Sequence, residues 1–228
     1  MTELMAAIGW PDLVAPLFFF SCWAGYVFAA DGRLGSRATL MSRMHQYREL
    51  WMQRLLAREN RIADLAALSV LTQSNAFLAS SCVLIVGGCL AVLGARDQAM
   101  AVLDEIPFVP STPAVLWEMK VLLLVVVFVY AFFKFTWSLR QFNYVAILIG
   151  AMPPPESAGT PGGIRYAKSA AMVASRAAEH FNKALRSFYF GLAALSWFLQ
   201  PWLFVALTVA VVLVVYRREF HSHTLLAV

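Results

Sequence analysis

The chain has 228 residues, 61% of them hydrophobic and only 14% charged, with a formal net charge of +5. A mean hydropathy of +0.67 excludes an ordinary soluble globular protein, and no polar stretch reaches the roughly 50 residues that an independent soluble domain needs. In such a chain a basic excess is a topology signal, so nucleic acid is not an expected partner.

Glu3 ahead of the first apolar run, residues 11–30, and Asp12 at its start are the only charges there. With no basic region ahead of it, this run reads as a retained first span and not as a signal peptide. Residues 31–65 then carry seven arginines against four acids, the mark of a cytoplasmic segment. Within it Leu40, Met44, Tyr47, Trp51, Leu55 and Ile62 recur at helical spacing and form one apolar stripe. Arg43, Arg54 and Arg61 flank that stripe. The pattern predicts a membrane-surface or partner helix, with the guanidinium groups at lipid phosphates and Trp51 deeper.

Two further runs, 71–95 and 114–133, reach the roughly 20 residues that cross a hydrocarbon layer of about 30 Å. Thr72, Gln73, Ser74 and Asn75 open the second span, and Gly87, Ala91 and Ala95 follow at small-residue spacing; both features predict helix packing. The connection 96–113 holds one arginine against Asp97, Asp104 and Glu105 and belongs outside.

The third span leaves through F-K-F-T-W-S-L-R-Q-F-N-Y, residues 133–144. On a helix at 100° per residue, Lys134, Ser138 and Gln141 share one face, while Thr136, Arg140 and Asn143 share the opposite one, with aromatics between. Two opposed polar faces predict contacts on several sides at the inner interface, from an aromatic belt or from a polar site shared with a neighbouring helix. Arg140 and Asn143 are expected to face protein.

Residues 152–163 are a breaker-rich linker containing P-P-P and P-G-G. An alanine-rich helix over 164–185 follows, with Arg176, Glu179, Lys183 and Arg186 on one face. The last apolar run, 187–216, would make a helix of about 45 Å, too long for one upright crossing. It is either a tilted, kinked helix or a tight helical hairpin turning at Gln200 and Pro201. The hairpin returns Arg217 and Arg218 to the side of the other basic segments.

These elements define an all-α fold, a polytopic transmembrane helical bundle forming a single integral membrane domain over 1–228. It has four hydrophobic segments and amphipathic cytoplasmic extensions in 31–65 and 153–186, with the N-terminus outside. Cys22, Cys82 and Cys89 lie in apolar segments and behave as small hydrophobes. His45, His180, His221 and His223 are scattered, and no hydrolase, metalloprotease, phosphate-loop or dinucleotide motif occurs. The expectation is a non-enzymatic protein with no cofactor and no metal.

W-A-G-Y (23–26), R-E-L-W-M (48–52), R-E-N-R-I-A-D (58–64), F-F-K-F-T-W-S-L-R-Q-F-N-Y (132–144), H-F-N-K-A-L-R-S-F-Y-F (180–190) and V-V-Y-R-R-E-F (214–220) together resemble a family of uncharacterised bacterial and plant multi-spanning membrane proteins, a domain of unknown function. The resemblance implies a membrane location and a four-helix type of topology, and it carries no activity. Its motifs gather on the predicted cytoplasmic side. They suggest a shared polar layer built from Arg58, Asn60, Asp64, Lys134, Arg140, Asn143, His180, Asn182, Lys183 and Arg186. The expected function is that of an oligomer, or an accessory subunit of a larger complex, in the bacterial inner membrane. Phospholipid, including anionic lipid, and a second copy or partner protein are the expected partners. An oligomeric channel or anion transporter is the alternative.

Overall fold

The computed structural model describes residues 9–30, 39–107 and 112–221. Glu3, Arg33, Arg37 and His223 lie outside the described residues. Seven α-helices and two short 3-10 turns, with no strand among the described residues, give the all-α class. The helices are α1 (Trp10–Ala30), α2 (Leu40–Leu56), α3 (Ile62–Gly94), α4 (Arg96–Asp104), α5 (Ala114–Gly150), α6 (Pro161–Leu195) and α7 (Pro201–Phe220). Three of them are long and apolar enough to cross a membrane, over Trp10–Ala29, Ile62–Gly94 and Ala114–Gly150. The chain is a membrane protein.

Helices α3 and α5 contain 33 and 37 residues, about 50 and 55 Å of helix. Both outrun the expected spans 71–95 and 114–133. Hydropathy marks where a segment stops being apolar, whereas the helix continues until backbone pairing stops. Here that is the P-P-P at 153–155 for α5 and the loop before Ile62 for α3.

The chain divides into two compact units, and α3, α5 and α6 contribute to both. The first holds the described residues of Met1–Arg37, Cys82–Tyr130 and Arg186–His221. Its centre is aromatic. Phe19 of α1 is fully buried and packs on Phe190 and Phe204 at 5.6 and 5.1 Å between ring centroids, while Trp23 stacks on Phe190 at 5.7 Å. At Ser196–Phe198 the helix of α6 tightens to a 3-10 turn, Gln200 turns extended, and Pro201 starts α7 with its φ already helical.

Trp197 then stacks on Phe204, and Arg218 reaches the Tyr189 hydroxyl, so the end of α6 and α7 run antiparallel. Of the two forms considered for 187–216, the helical hairpin is the one adopted. Close approach of α5 and α6 requires Gly191, where a Cβ would lie 2.7 Å from Phe128 Cζ.

The second unit holds Ala38–Ser81 and Ala131–Leu185. Helix α2 starts at a capping box in which Thr39 Oγ1 accepts from the Ser42 amide and Ser42 Oγ from the Thr39 amide. The C-terminal part of its apolar face packs inside the chain. Met52, Leu55 and Leu56 are buried with Leu68, Phe142, Val145 and Ile149 against an alanine face of α6, residues Ala167, Ala170, Ala171, Ala174 and Ala177.

The two helices run antiparallel. His45 Nδ1 lies 2.7 Å from Ser175 Oγ near one end, and Leu56 meets Gly163 near the other. Alanine leaves room for the large side chains of α2 to close on α6, so the Trp51–Leu55 end of the stripe packs within the chain, while Tyr47 and Ile62 stay exposed.

A Cβ on Gly163 would collide with the Ser157 carbonyl and lie 2.9 Å from Leu56 Cδ2. The Ser157 carbonyl is backbone and cannot swing aside. Gly163→Ala is therefore expected to destabilise the protein by about 1–3 kcal/mol, read as a lower thermal midpoint in mild detergent, whereas Gly162→Ala, with nothing within 4 Å of the added carbon, leaves it close to wild type.

Candidate functional site

The segment R-E-N-R-I-A-D folds as the joint between α2 and α3. Asn60 Oδ1 accepts from the Ile62 amide at 3.0 Å and opens α3. One turn later Asp64 is buried. Its carboxylate accepts from the Trp51 indole at 2.7 Å and twice from Arg58 Nη1 at 2.7 and 2.9 Å. An acid in the first turn also complements the positive end of the helix. Arg61 donates from Nη1 to the Met152 carbonyl at 3.0 Å and from Nη2 to the Pro153 carbonyl at 2.8 Å.

Those carbonyls stand at the end of α5, where no further helical amide can reach them. Trp51 and Arg61, expected at the lipid surface, are thus engaged by protein. Arg43 and Arg54 remain exposed on α2.

A second tie joins α3, α5 and α6. Asn75 Nδ2 donates to Ser138 Oγ at 2.8 Å, and Ser138 Oγ donates to the Ala177 carbonyl at 2.7 Å. Ser138 thus lies in the protein interior, as do the large side chains that share its seam, Phe135, Phe142 and Val145. The opposite wheel face carries Arg140 and Asn143, and it is exposed. Arg140 Nε donates to Tyr144 Oη on its own helix at 2.7 Å, with its guanidinium 6.0 Å from that ring. The expectation that Arg140 and Asn143 face protein is corrected: bulky aromatics fill the seam and turn the other polar face outward.

His180 lies beside Trp137, ring centroids 6.4 Å apart, and its Nδ1 is buried with no hydrogen-bond partner. Burial first, then the charges of Lys134 and Lys183, hold its pKa below the ordinary value. Arg48 of α2 is lowered by burial and drawn back up by Glu179 of α6. Asn182 donates to Met41 Sδ at 3.6 Å. The proposed single layer is therefore several separate ties. Arg58 and Asp64 pair, Lys134 and Lys183 flank His180, Asn60 opens a helix, and Arg186 belongs to the other unit, where its guanidinium lies 5.6 Å from the Tyr26 ring.

The first unit holds a cluster that the sequence reasoning missed. Asp12 Oδ1 accepts from the Trp197 indole at 2.9 Å and lies 3.3 Å from Lys120 Nζ, and that ammonium stands 5.4 Å from the Trp197 ring. Lys120 is only 3% exposed. The available signal was a lysine in the second turn of an apolar helix and an aspartate in the first turn of another, because a charge carried into such a segment demands a partner.

The Asp64 and Asp12 carboxylates, the Trp51 and Trp197 indoles, the Arg58 and Arg61 guanidiniums and the Asn75 side-chain NH2 all make bonds between elements. Among the described residues no group of three or more His, Cys, Asp and Glu could hold a metal ion.

Three outcomes are expected. Asp64→Ala costs about 1.5–3 kcal/mol, as loss of hydrogen bonds to a charged group does, and Trp51→Phe in that background adds less than it does alone. Asp12→Ala strands the buried Lys120 and costs about 3–5 kcal/mol, while the double variant with Lys120→Met recovers part of this in the same thermal assay.

The third concerns pH. A depressed native pKa at His180 means that the unfolded chain takes up its proton more readily. Stability is then unaffected above about pH 6.5, the ordinary histidine value, and falls below it. His180→Gln should flatten that decline in the thermal midpoint.

A family model described as "Protein of unknown function, DUF599" matches residues 14–224, and the chain belongs to that family. No curated protein and no solved structure matches it.

Proposed function

We propose that this member of the DUF599 family is a non-enzymatic integral protein of the bacterial inner membrane that works as an oligomer or as an accessory subunit of a larger membrane complex. The observation that carries the reading is the thin contact made by α3. Asp64, Leu68, Asn75, Ala79 and Cys82 are its buried residues. Ile62, Phe77 and Leu84 are 73%, 71% and 77% exposed.

A helix of about 50 Å tilted by as much as 40° still rises about 38 Å, more than the hydrocarbon thickness of about 30 Å. Lipid tails cover only part of this apolar length, and a second protein surface covers the rest. The basic groups Arg43 and Arg54 on α2, with Arg165, Lys168 and Arg176 on α6, are exposed. Under the positive-inside rule they favour a cytoplasmic side for these residues, where each would contribute about 1 kcal/mol near an anionic lipid surface. The hairpin then supports five crossings, with the N-terminus outside and Arg217 and Arg218 inside.

The test is Phe77→Cys in native membranes treated with a short bis-maleimide. A discrete adduct, absent from wild type and containing a second copy or one partner chain, is expected. A monomer in mild detergent with no adduct in membranes overturns the reading. Anion conduction, the rival, draws on Arg140, which is exposed on α5; Arg140→Ala leaving anion flux into liposomes unchanged removes it.

A further inference from the structure

The arms of the hairpin touch at their closed end, through Trp197 and Phe204, and again where Arg218 reaches Tyr189. Between these points they part. Ala193 of α6 and Ala210 of α7 line the gap together with Leu192, Leu207, Val211 and Val214, and two alanines cannot fill a space that longer side chains would close. The result is an apolar groove of about 330 Å³, within the range of small-ligand sites. Its floor is rigid: Ala193 and Val215 are buried, and the Val215 carbonyl accepts from the Tyr26 hydroxyl at 3.3 Å. Its flank is open, with Val214 63% exposed.

The polar groups of the groove stand at one end. Arg218 lines it there beside the Tyr189 hydroxyl, 3.4 Å away, and Arg217 is the next residue back. A guanidinium presents five N–H donors, more than the bond to Tyr189 uses. An apolar trough with one cationic, donor-rich end is complementary to an amphiphile with an anionic head. The apolar residues of α7 before Arg217 span 16 positions, Pro201 to Tyr216, about 24 Å of helix, close to the length of a lipid tail region plus its interface.

We propose that the groove between α6 and α7 holds one acyl chain of an anionic phospholipid, with the lipid phosphate on Arg218 and Tyr189. The chain lies along Ala193 and Ala210. The guanidinium supplies a charge-assisted bond to the phosphate. This site is independent of the subunit count: a monomer that retains the lipid and gives no crosslinked adduct in membranes upholds the groove and sinks the assembly reading.

The full chain in mild detergent is mixed with equal amounts of phosphatidylglycerol and phosphatidylcholine of matched chains, and bound lipid is counted by native mass spectrometry. Phosphatidylglycerol adducts are expected to exceed phosphatidylcholine by about fivefold, the preference one cationic side chain supplies. Arg218→Gln should bring the two lipids to near parity, and Arg218→Lys should keep most of the preference. Ala210→Trp, at an exposed position, should lower adducts of both lipids by filling the trough, with circular dichroism reporting that the helices persist.

Equal binding of the two lipids by wild type overturns the proposal, as does a preference unmoved by Arg218→Gln. Ala210→Trp that turns dimers into monomers while adducts stay unchanged also overturns it, and assigns the groove to a second copy. Should Ala210→Trp fail to fold, the Arg218 pair decides alone.

Discussion

Just past the end of α5 the chain presents two carbonyls that no helical amide meets, and an arginine from another part of the chain supplies the donors. Arg61 reaches the Met152 and Pro153 carbonyls only because the turn that carries it is pinned on both sides. Before it, Arg58 is held on Asp64; after it, Asp64 sits in the first turn of α3. The Trp51 indole ties α2 to the same carboxylate. One buried acid thus sets the exit of α2, the entry of α3 and the hold on the chain that leaves α5. The acid is anchored by donors from two directions, which is how a carboxylate withstands burial at all.

Packing follows from residue size. The alanines of α6 that face α2 and α5 permit short interhelical distances, and glycine is used where even a methyl group is too large, at Gly163 against backbone and at Gly191 against the Phe128 ring. The first unit takes the opposite route, with interlocked aromatic rings around Phe19. Small residues suit helices that must lie close. Rings suit helices that cross with gaps to fill.

Much of the fold was legible in the sequence for a simple reason: apolar length, breaker residues and charge asymmetry are local quantities. The helix at 10–30, the apolar first half of the helix at 114–150 and the break after Met152 follow from them, and Gln200 and Pro201 mark the point where a reversal could occur. The destination of α2 was not legible, because a stripe such as Met44, Trp51 and Leu55 reads alike whether it meets lipid or an alanine face over 100 residues away. The two polar faces of 133–144 were visible, but choosing between them required knowing that Phe135, Phe142 and Val145 fill the seam. Asp12 and Lys120 escaped notice because they lie 108 positions apart (120 − 12). Each alone looks like an ordinary helix-end charge. Arg58 and Asp64, six positions apart, pair because a single turn brings them together, a distance over which sequence reasoning can see both partners at once.

The turn Ser196–Phe198 with Leu199 and Gln200 has a bearing on how the hairpin forms. It contains no ionisable side chain, and its Trp197 is buried against Phe204 of the same hairpin. Moving an arginine or aspartate through the centre of a bilayer costs about 2.5–3.5 kcal/mol on the insertion scale; moving this turn moves no charge at all. No Asp, Glu, Lys, Arg or His occurs between Arg186 and Arg217, so over that length the two arms close on each other through rings and aliphatic side chains, and the hairpin can move or form as a unit without carrying a charge with it.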